Sequence, residues 1–310
     1  MSATPERILP SGAVCATATP PRVSPRRVAV QALLRRKLFM GCAIFVVLLV
    51  IVAIFAPWVA PYPPNQLDLT LRLAPPSPEH WLGTDTVGRD TLSRIIYGSR
   101  VSLLVGIVAV AFSTLIGVVL GTLAGYFGGW TEAVIMRCMD ALMTIPMILF
   151  ALTLAALLGG GLTDVVVAIG LSMIPPYARL MCAQTQSIKQ KDFVISLRSM
   201  GAGSWRVMAS HVVPNGFSHV LVFMTMQIGA AILAEAALSF LGIGVPLTIP
   251  TWGSMVADGY PYIFTDPLLS IAPGVAIMAT VFAFNMIGDN LRDVLDPRLR
   301  GSLLFAEKRT

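Results

Sequence analysis

Six long apolar runs, parted by shorter polar or proline-rich stretches, set the pattern of the chain. The first, Leu38 to Trp58, carries no charge and is long enough to span, since about 20 residues of helix cross a bilayer. The second lies within Val101 to Gly125. The third runs from about Thr131 to Leu158, with a kink expected at Pro146. The fourth covers about Leu162 to Met181 and is expected to break near Pro175 and Pro176. The fifth runs from about Gly216 to Ala236 and the sixth from about Pro267 to Ile287. The pattern predicts an all-α polytopic membrane protein of six transmembrane helices.

The stretches between the runs give the sidedness. Residues 1–37 hold seven Arg/Lys, one Glu and five prolines, the composition of a disordered basic cytoplasmic tail. That tail is too long and polar to begin a cleaved signal, so the first run is expected to be retained. Residues 61–100 are rich in proline, and their four arginines are balanced by Asp68, Glu79, Asp85 and Asp90, which suits the outer side. Five Lys/Arg fall in residues 179–206, five in 289–310, and Arg137 stands alone in a short link; with the tail and the outer loop these account for all 22. Six spans with both termini cytoplasmic follow from the excess of basic residues on the inner side. The chain divides into the tail (1–37), a first spanning helix (38–60), an extracytoplasmic loop (61–98), a five-helix core (99–290) with a cytoplasmic loop at 184–215, and a cytoplasmic tail (291–310).

That cytoplasmic loop has an internal order of its own. A helix is expected to end near Met200, with Gly201 in the left-handed conformation that closes it. Ser204 is placed to cap a second helix, which Pro214 limits. Leu197, Gly201, Trp205 and Met208 would share one face if the helix were continuous.

Composition excludes several classes. The chain is 55% hydrophobic and 12% charged, whereas soluble domains carry about 25% charged residues; its mean hydropathy is +0.77. The net charge of +6 is a topology signal and not a nucleic-acid footprint, because no basic face is interleaved with aromatics. Cys15, Cys42, Cys138 and Cys182 share no short spacing, so neither a metal site nor a disulfide framework is expected. Gly83 to Asp90 superficially resembles a phosphate loop, but Gly-Lys-Ser/Thr is absent throughout, so the chain itself binds no nucleotide.

Individual residues add less. Gly117, Gly121 and Gly125 line one helix face, where small residues let a second helix approach. Asp140 is expected to pair locally with Arg137, a proton relay being the alternative. His211 and His219 have no acid beside them and read as interfacial or packing residues. Glu235 reads either as an acid at headgroup level without a task or as a group lining the outer mouth. Residues 241–266 lack Lys and Arg and carry Trp252, Tyr260 and Tyr262, as an outer loop with interfacial anchors does.

Three segments resemble one family. Ile195-Ser196-Leu197, Gly201-Ala202, Trp205-Arg206, His211 and Pro214-Asn215 match the cytoplasmic loop of bacterial ABC importer permeases, with Ile195 standing where Glu is usual. Gly83-Thr84-Asp85 with Gly88-Arg89-Asp90 is similar to an outer segment of the peptide and nickel importer permeases. Phe284-Asn285, Gly288-Asp289, Leu291-Arg292-Asp293 and Leu295-Asp296-Pro297-Arg298 resemble the ending of the dipeptide, oligopeptide and nickel permeases, and this is the most specific match. The resemblance covers about residues 35–300 and implies a type I ABC importer permease fold. It implies that Ser196, Leu197, Arg198, Gly201, Ala202, Trp205, Arg206, Pro214 and Asn215 dock on an ATPase, with Glu235 at the outer mouth. It also implies a homologous second permease subunit, two ATPase subunits carrying ATP and Mg, an extracytoplasmic substrate-binding protein, and a bacterial inner-membrane location. The implied cargo is a di- or oligopeptide; nickel, or another small solute such as glutathione, is the alternative. The rival class, an ion-coupled carrier, predicts ionisable residues near mid-bilayer.

Overall fold

The computed structural model describes residues 33–34, 36–246 and 248–295. The basic tail of residues 1–32, Cys15 and the Asp296-Pro297-Arg298 part of the carboxyl-terminal match lie outside them. The described residues form helices and connecting loops without a β-strand, apart from one isolated bridge between Thr84 and Asp90.

The first apolar run becomes α1 (Lys37–Ile54) and a short α2 (Ala56–Val59), with Pro57 in the first turn of α2. A proline-rich loop then leads to α3 (Thr91–Phe127). The irregular, proline-rich stretch therefore ends at Asp90. Asp90 is the reason: its carboxylate accepts from the Ser93 amide at 2.8 Å and caps the helix. Gly128, at φ 68°, ends α3.

The third span is not one kinked helix. It is two, α4 (Gly129–Met143) and α5 (Met147–Leu158), bent by 88° about Thr144–Pro146. Pro146 lacks an amide hydrogen, and it drives Ile145 out of the helical region, so neither side continues. The fourth span differs in the opposite sense. α6 (Leu162–Lys189) runs unbroken through Pro175 and Pro176. Buried packing holds it there, for Pro175, Tyr177 and Ala178 all lie inside, against α3. Gly117, Gly121 and Gly125 make that approach possible; a methyl group on Gly125 would lie 2.6 Å from the Cys182 carbonyl oxygen.

The loop expected on the cytoplasmic side forms α7 (Asp192–Ser199), a glycine turn, α8 (Ser204–Val207) and a π-helical turn over Met208–Val212. Two expectations fail here. Gly203 precedes α8, and Ser204 makes no capping bond. Pro214 limits nothing, because it sits in the first turn of α9 (Val213–Phe240), where no amide hydrogen is needed. The Asn215 side-chain amide donates to the His211 carbonyl at 2.6 Å, so the wide turn keeps a partner and the apolar helix runs on from Ser204 to Phe240. Gly242, at φ 77°, closes α9: its amide donates to Ser239 and that of Ile243 to Leu238.

Beyond α9 come α10 (Trp252–Gly259), which opens on a Thr251/Ser254 capping box, and α11 (Leu268–Leu295). α11 extends past the expected end of the sixth span. Arg36 donates to Asn290 at 2.8 Å and to Asp293 at 2.7 Å, tying its inner end to the start of α1. Among the described residues five helices are long and apolar enough to span, and six when α4 and α5 count as one broken span. The core gathers between α3, α6 and α9 on Val105, Ile169, Met173, Tyr177 and Met181.

Candidate functional site: the cytoplasmic loop and its supports

The loop is built on a Schellman turn. Met200 ends α7; the Gly201 amide then donates to Arg198 and the Ala202 amide to Leu197. Gly201 has φ 81°, as expected from sequence. A side chain there would meet nothing within 4 Å, so only the backbone conformation demands glycine.

Three side chains seat the loop on the carboxyl-terminal end of α3. Lys189 donates its Nζ to the Tyr126 carbonyl at 2.6 Å. Arg198 lies 5.9 Å from the centre of the Tyr126 ring. Trp205 meets Phe127 edge-on at 6.3 Å between centroids. From inside, Val194, Val207 and Met208 anchor the loop in the core.

The supposed docking stripe of Leu197, Gly201, Trp205 and Met208 does not form. The chain breaks between Met200 and Gly203, and Met208 is buried. The apolar side chains left bare are Phe193, Ile195, Met200 and Trp205, the last two 75% and 71% exposed. Arg198 and Arg206 are exposed on the same loop, Leu197 and Ala202 are half-buried, and Ser196 turns its hydroxyl back to the Asp192 carbonyl at 2.9 Å. Pro214 and Asn215 belong to the start of α9, one turn beyond the loop helices. Their part is to carry the helix past the π turn. Sequence reasoning missed Val194, Val207 and the Tyr126–Phe127 seat. The anchor valines are spaced as in any amphipathic helix, and the seat lies more than sixty residues away in sequence.

Glu235 is neither a water-exposed acid without a task nor a group lining a mouth. It is fully buried in α9. Ser239 donates to one of its carboxylate oxygens at 2.7 Å, and Ser102 of α3 to the other at 3.3 Å. It fastens two spans together. Asp140 pairs with Arg179 of α6 and not with Arg137. No group of three metal-ligating side chains occurs among the described residues.

The outer segment folds as a charge cluster. Asp85 accepts from the Val87 and Arg89 amides and from Arg89 Nε at 2.5 Å, the local Asp/Arg pair expected from sequence. Arg89 reaches Asp258 of α10 at 3.6 Å, and the fully buried Arg94 lies 3.7 Å from Asp85. Burial pushes the Asp258 carboxyl above its ordinary value, and the neighbouring Arg94 and Arg89 oppose that only in part.

With this geometry described, comparison with known proteins adds the following. Residues 117–301 match the model of the binding-protein-dependent transport system inner membrane component family. Residues 24–76 match the N-terminal transmembrane domain of oligopeptide transport permease C. The chain is 42% identical over 268 residues to the glutathione transport system permease protein GsiD of Pectobacterium atrosepticum, covering 86% of this chain and 89% of that one. It is 41% identical over 259 residues to a probable D,D-dipeptide transport system permease protein, DdpC, of Escherichia coli, covering 84% and 87%. An inward-facing structure of the MetNI methionine ABC transporter shares the fold, with a TM-score of 0.53 and 16% identity over 66% of this chain and 97% of that one.

Proposed function

The chain belongs to the family of binding-protein-dependent transport system inner membrane components, and from that premise we propose that it is one of two transmembrane subunits of an ATP-driven importer of small peptides, glutathione or dipeptides among them. It is a multi-pass protein of the bacterial inner membrane and a transport component. The observation that carries the reading is the cytoplasmic loop. It is folded, seated on the end of α3, and bare on Phe193, Ile195, Met200 and Trp205, while the sequence has no phosphate loop of its own. Large apolar side chains left bare on a basic, folded loop call for a protein partner, and two ATPase subunits carrying ATP and Mg fit that need. A homologous second permease would complete the path, and an extracytoplasmic binding protein would deliver the cargo to the outer loops. Closure of the ATPases against the loop would move α6 and α9, which leave it in opposite directions, as rigid bodies.

The peptide cargo rests on the two relatives named for glutathione and D,D-dipeptide transport. The test is ligand-stimulated ATP hydrolysis by the complete complex with its binding protein. Glutathione or a dipeptide should raise the rate, and the ligand carried on the purified binding protein should be a peptide by mass spectrometry. Stimulation by nickel or a sugar alone would contradict the cargo.

A further inference from the structure

The helix that leaves the loop is irregular where it begins. From Ser204 to Phe240 the chain is one long apolar helix, but its turn over Met208–Val212 is wound as a π-helix. The Val213 amide donates five residues back, to the Met208 carbonyl, instead of four. Just before it, the Met208 amide still donates to Ser204 in the ordinary α register. Pro214 follows and has no amide hydrogen, so neither Ser210, four residues back, nor Ala209, five back, receives a bond from it. At His211 the bond comes from a side chain, Asn215 Nδ2 at 2.6 Å. Three departures from the helical ladder therefore fall between Met208 and Asn215. None is locked by backbone strain. Val207, Met208, Val212 and Val213 all keep right-handed helical dihedrals, with φ between −58° and −76°. Helices bend at such places, where the ladder is widened or a proline removes a rung.

The ties on the two sides of this turn are unequal. Lys189, Arg198 and Trp205 all fasten the loop to Tyr126 and Phe127 at the end of α3. α3 in turn is pressed backbone to backbone on α6 at Gly117, Gly121 and Gly125. Among the described residues no side-chain hydrogen bond or aromatic contact joins α7 or α8 to α9. The polar tie of α9 to α3, Ser102 to Glu235, lies at the opposite end of α9. Near the π turn, α9 rests on α6 through Gly216 and the flexible tip of Met181. The loop, α3 and α6 thus hold together as one body, and α9 meets that body at its weakest rungs.

We propose that Met208–Asn215 is a flexing joint. The loop travels with α3 and α6, and α9 changes its angle to the loop at this joint during the transport cycle. The π turn supplies the slack, and Pro214 keeps it in place. The inference rests on the transport reading above and adds which of the two helices leaving the loop turns against it.

The experiment uses the complete complex with the native cysteines replaced by alanine. Spin labels on Lys191→Cys with Leu115→Cys span loop to α3, and labels on Lys191→Cys with Leu221→Cys span loop to α9. All three positions are exposed. Electron double resonance reads both distances in the nucleotide-free complex and in the complex trapped with ATP and vanadate. A tilt of about 15° at the joint moves Leu221, about 12 Å along α9 from Val213, by about 3 Å. The loop-to-α9 distance should shift by that much or more, while the loop-to-α3 distance stays within about 1 Å. Deletion of Ser210 takes the extra residue out of the π turn. It should leave ATPase co-purification at the wild-type level and abolish both the shift and the stimulation of hydrolysis by substrate. Pro214→Ala, which restores the missing amide, should reduce both and serves if the deletion does not assemble. A loop-to-α9 distance that stays fixed would overturn the proposal, as would full stimulation in both variants. ATP-dependent uptake by the unaltered complex is measured separately. Uptake with a fixed loop-to-α9 distance overturns the joint and leaves the transport reading standing; a shifted distance without uptake does the reverse.

Discussion

Asp258 and Glu235 show how single carboxylates serve this fold in different ways. Asp258 is pushed above its ordinary value by burial, so the folded state holds its proton more tightly than the unfolded chain does. Its favourable contribution is complete below about pH 3.8, the unfolded value, and is lost as pH rises through the raised folded value. Asp258→Asn should therefore lessen the loss of apparent melting temperature as pH rises above about 3.8; a steeper profile would contradict the assignment. Glu235 accepts from two buried serines, Ser102 and Ser239. Glu235→Ala leaves both hydroxyls without that partner, a cost of about 1–3 kcal/mol for each buried group left unmet. Melting of the purified complex should fall accordingly, and Glu235→Gln, which keeps an acceptor and the volume, should recover most of the loss. Neither role was legible in the sequence. An acid near the end of an apolar run looks the same whether water or two serines from separate spans surround it.

At the scale of elements, the six apolar runs, the Gly201 turn and the glycine face of α3 were legible, because each follows from local chemistry or a helical period. The behaviour of the prolines was not. Pro146 breaks its span outright, while Pro175 and Pro176 lie within an unbroken helix. The difference is made by packing against α3, which sequence spacing does not report. The close contact of α3 and α6 gives a test. Gly121→Val should prevent accumulation of the folded protein, since even the first carbon would lie 2.9 Å from Met181 Cβ; a normal membrane level would contradict that packing. Gly201→Val is expected to act differently. Nothing crowds that position, so the strain is confined to a positive-φ backbone, which costs about 1 kcal/mol for alanine and more for a β-branched residue. The protein should insert normally, while ATPase co-purification and substrate-stimulated hydrolysis fall together. Wild-type levels of both would mean that the loop is not the coupling element.

Among the described residues, charged side chains gather in two groups of particular weight for the fold. The outer cluster of Asp85, Arg89, Arg94 and Asp258 holds the loop after α2 against α3 and α10. The loop of α7 and α8 closes the inner end. The account's central claim is that this body, proposed above to be a transport subunit, moves its cargo only when ATPases drive it. The direct measurement is uptake of labelled glutathione or dipeptide into liposomes, with the chain reconstituted alone and then with its partner permease, ATPases and binding protein. The account predicts no uptake by the chain alone and ATP-dependent uptake by the complete complex. Uptake by the chain alone, or uptake by the complex that persists without ATP, would contradict it.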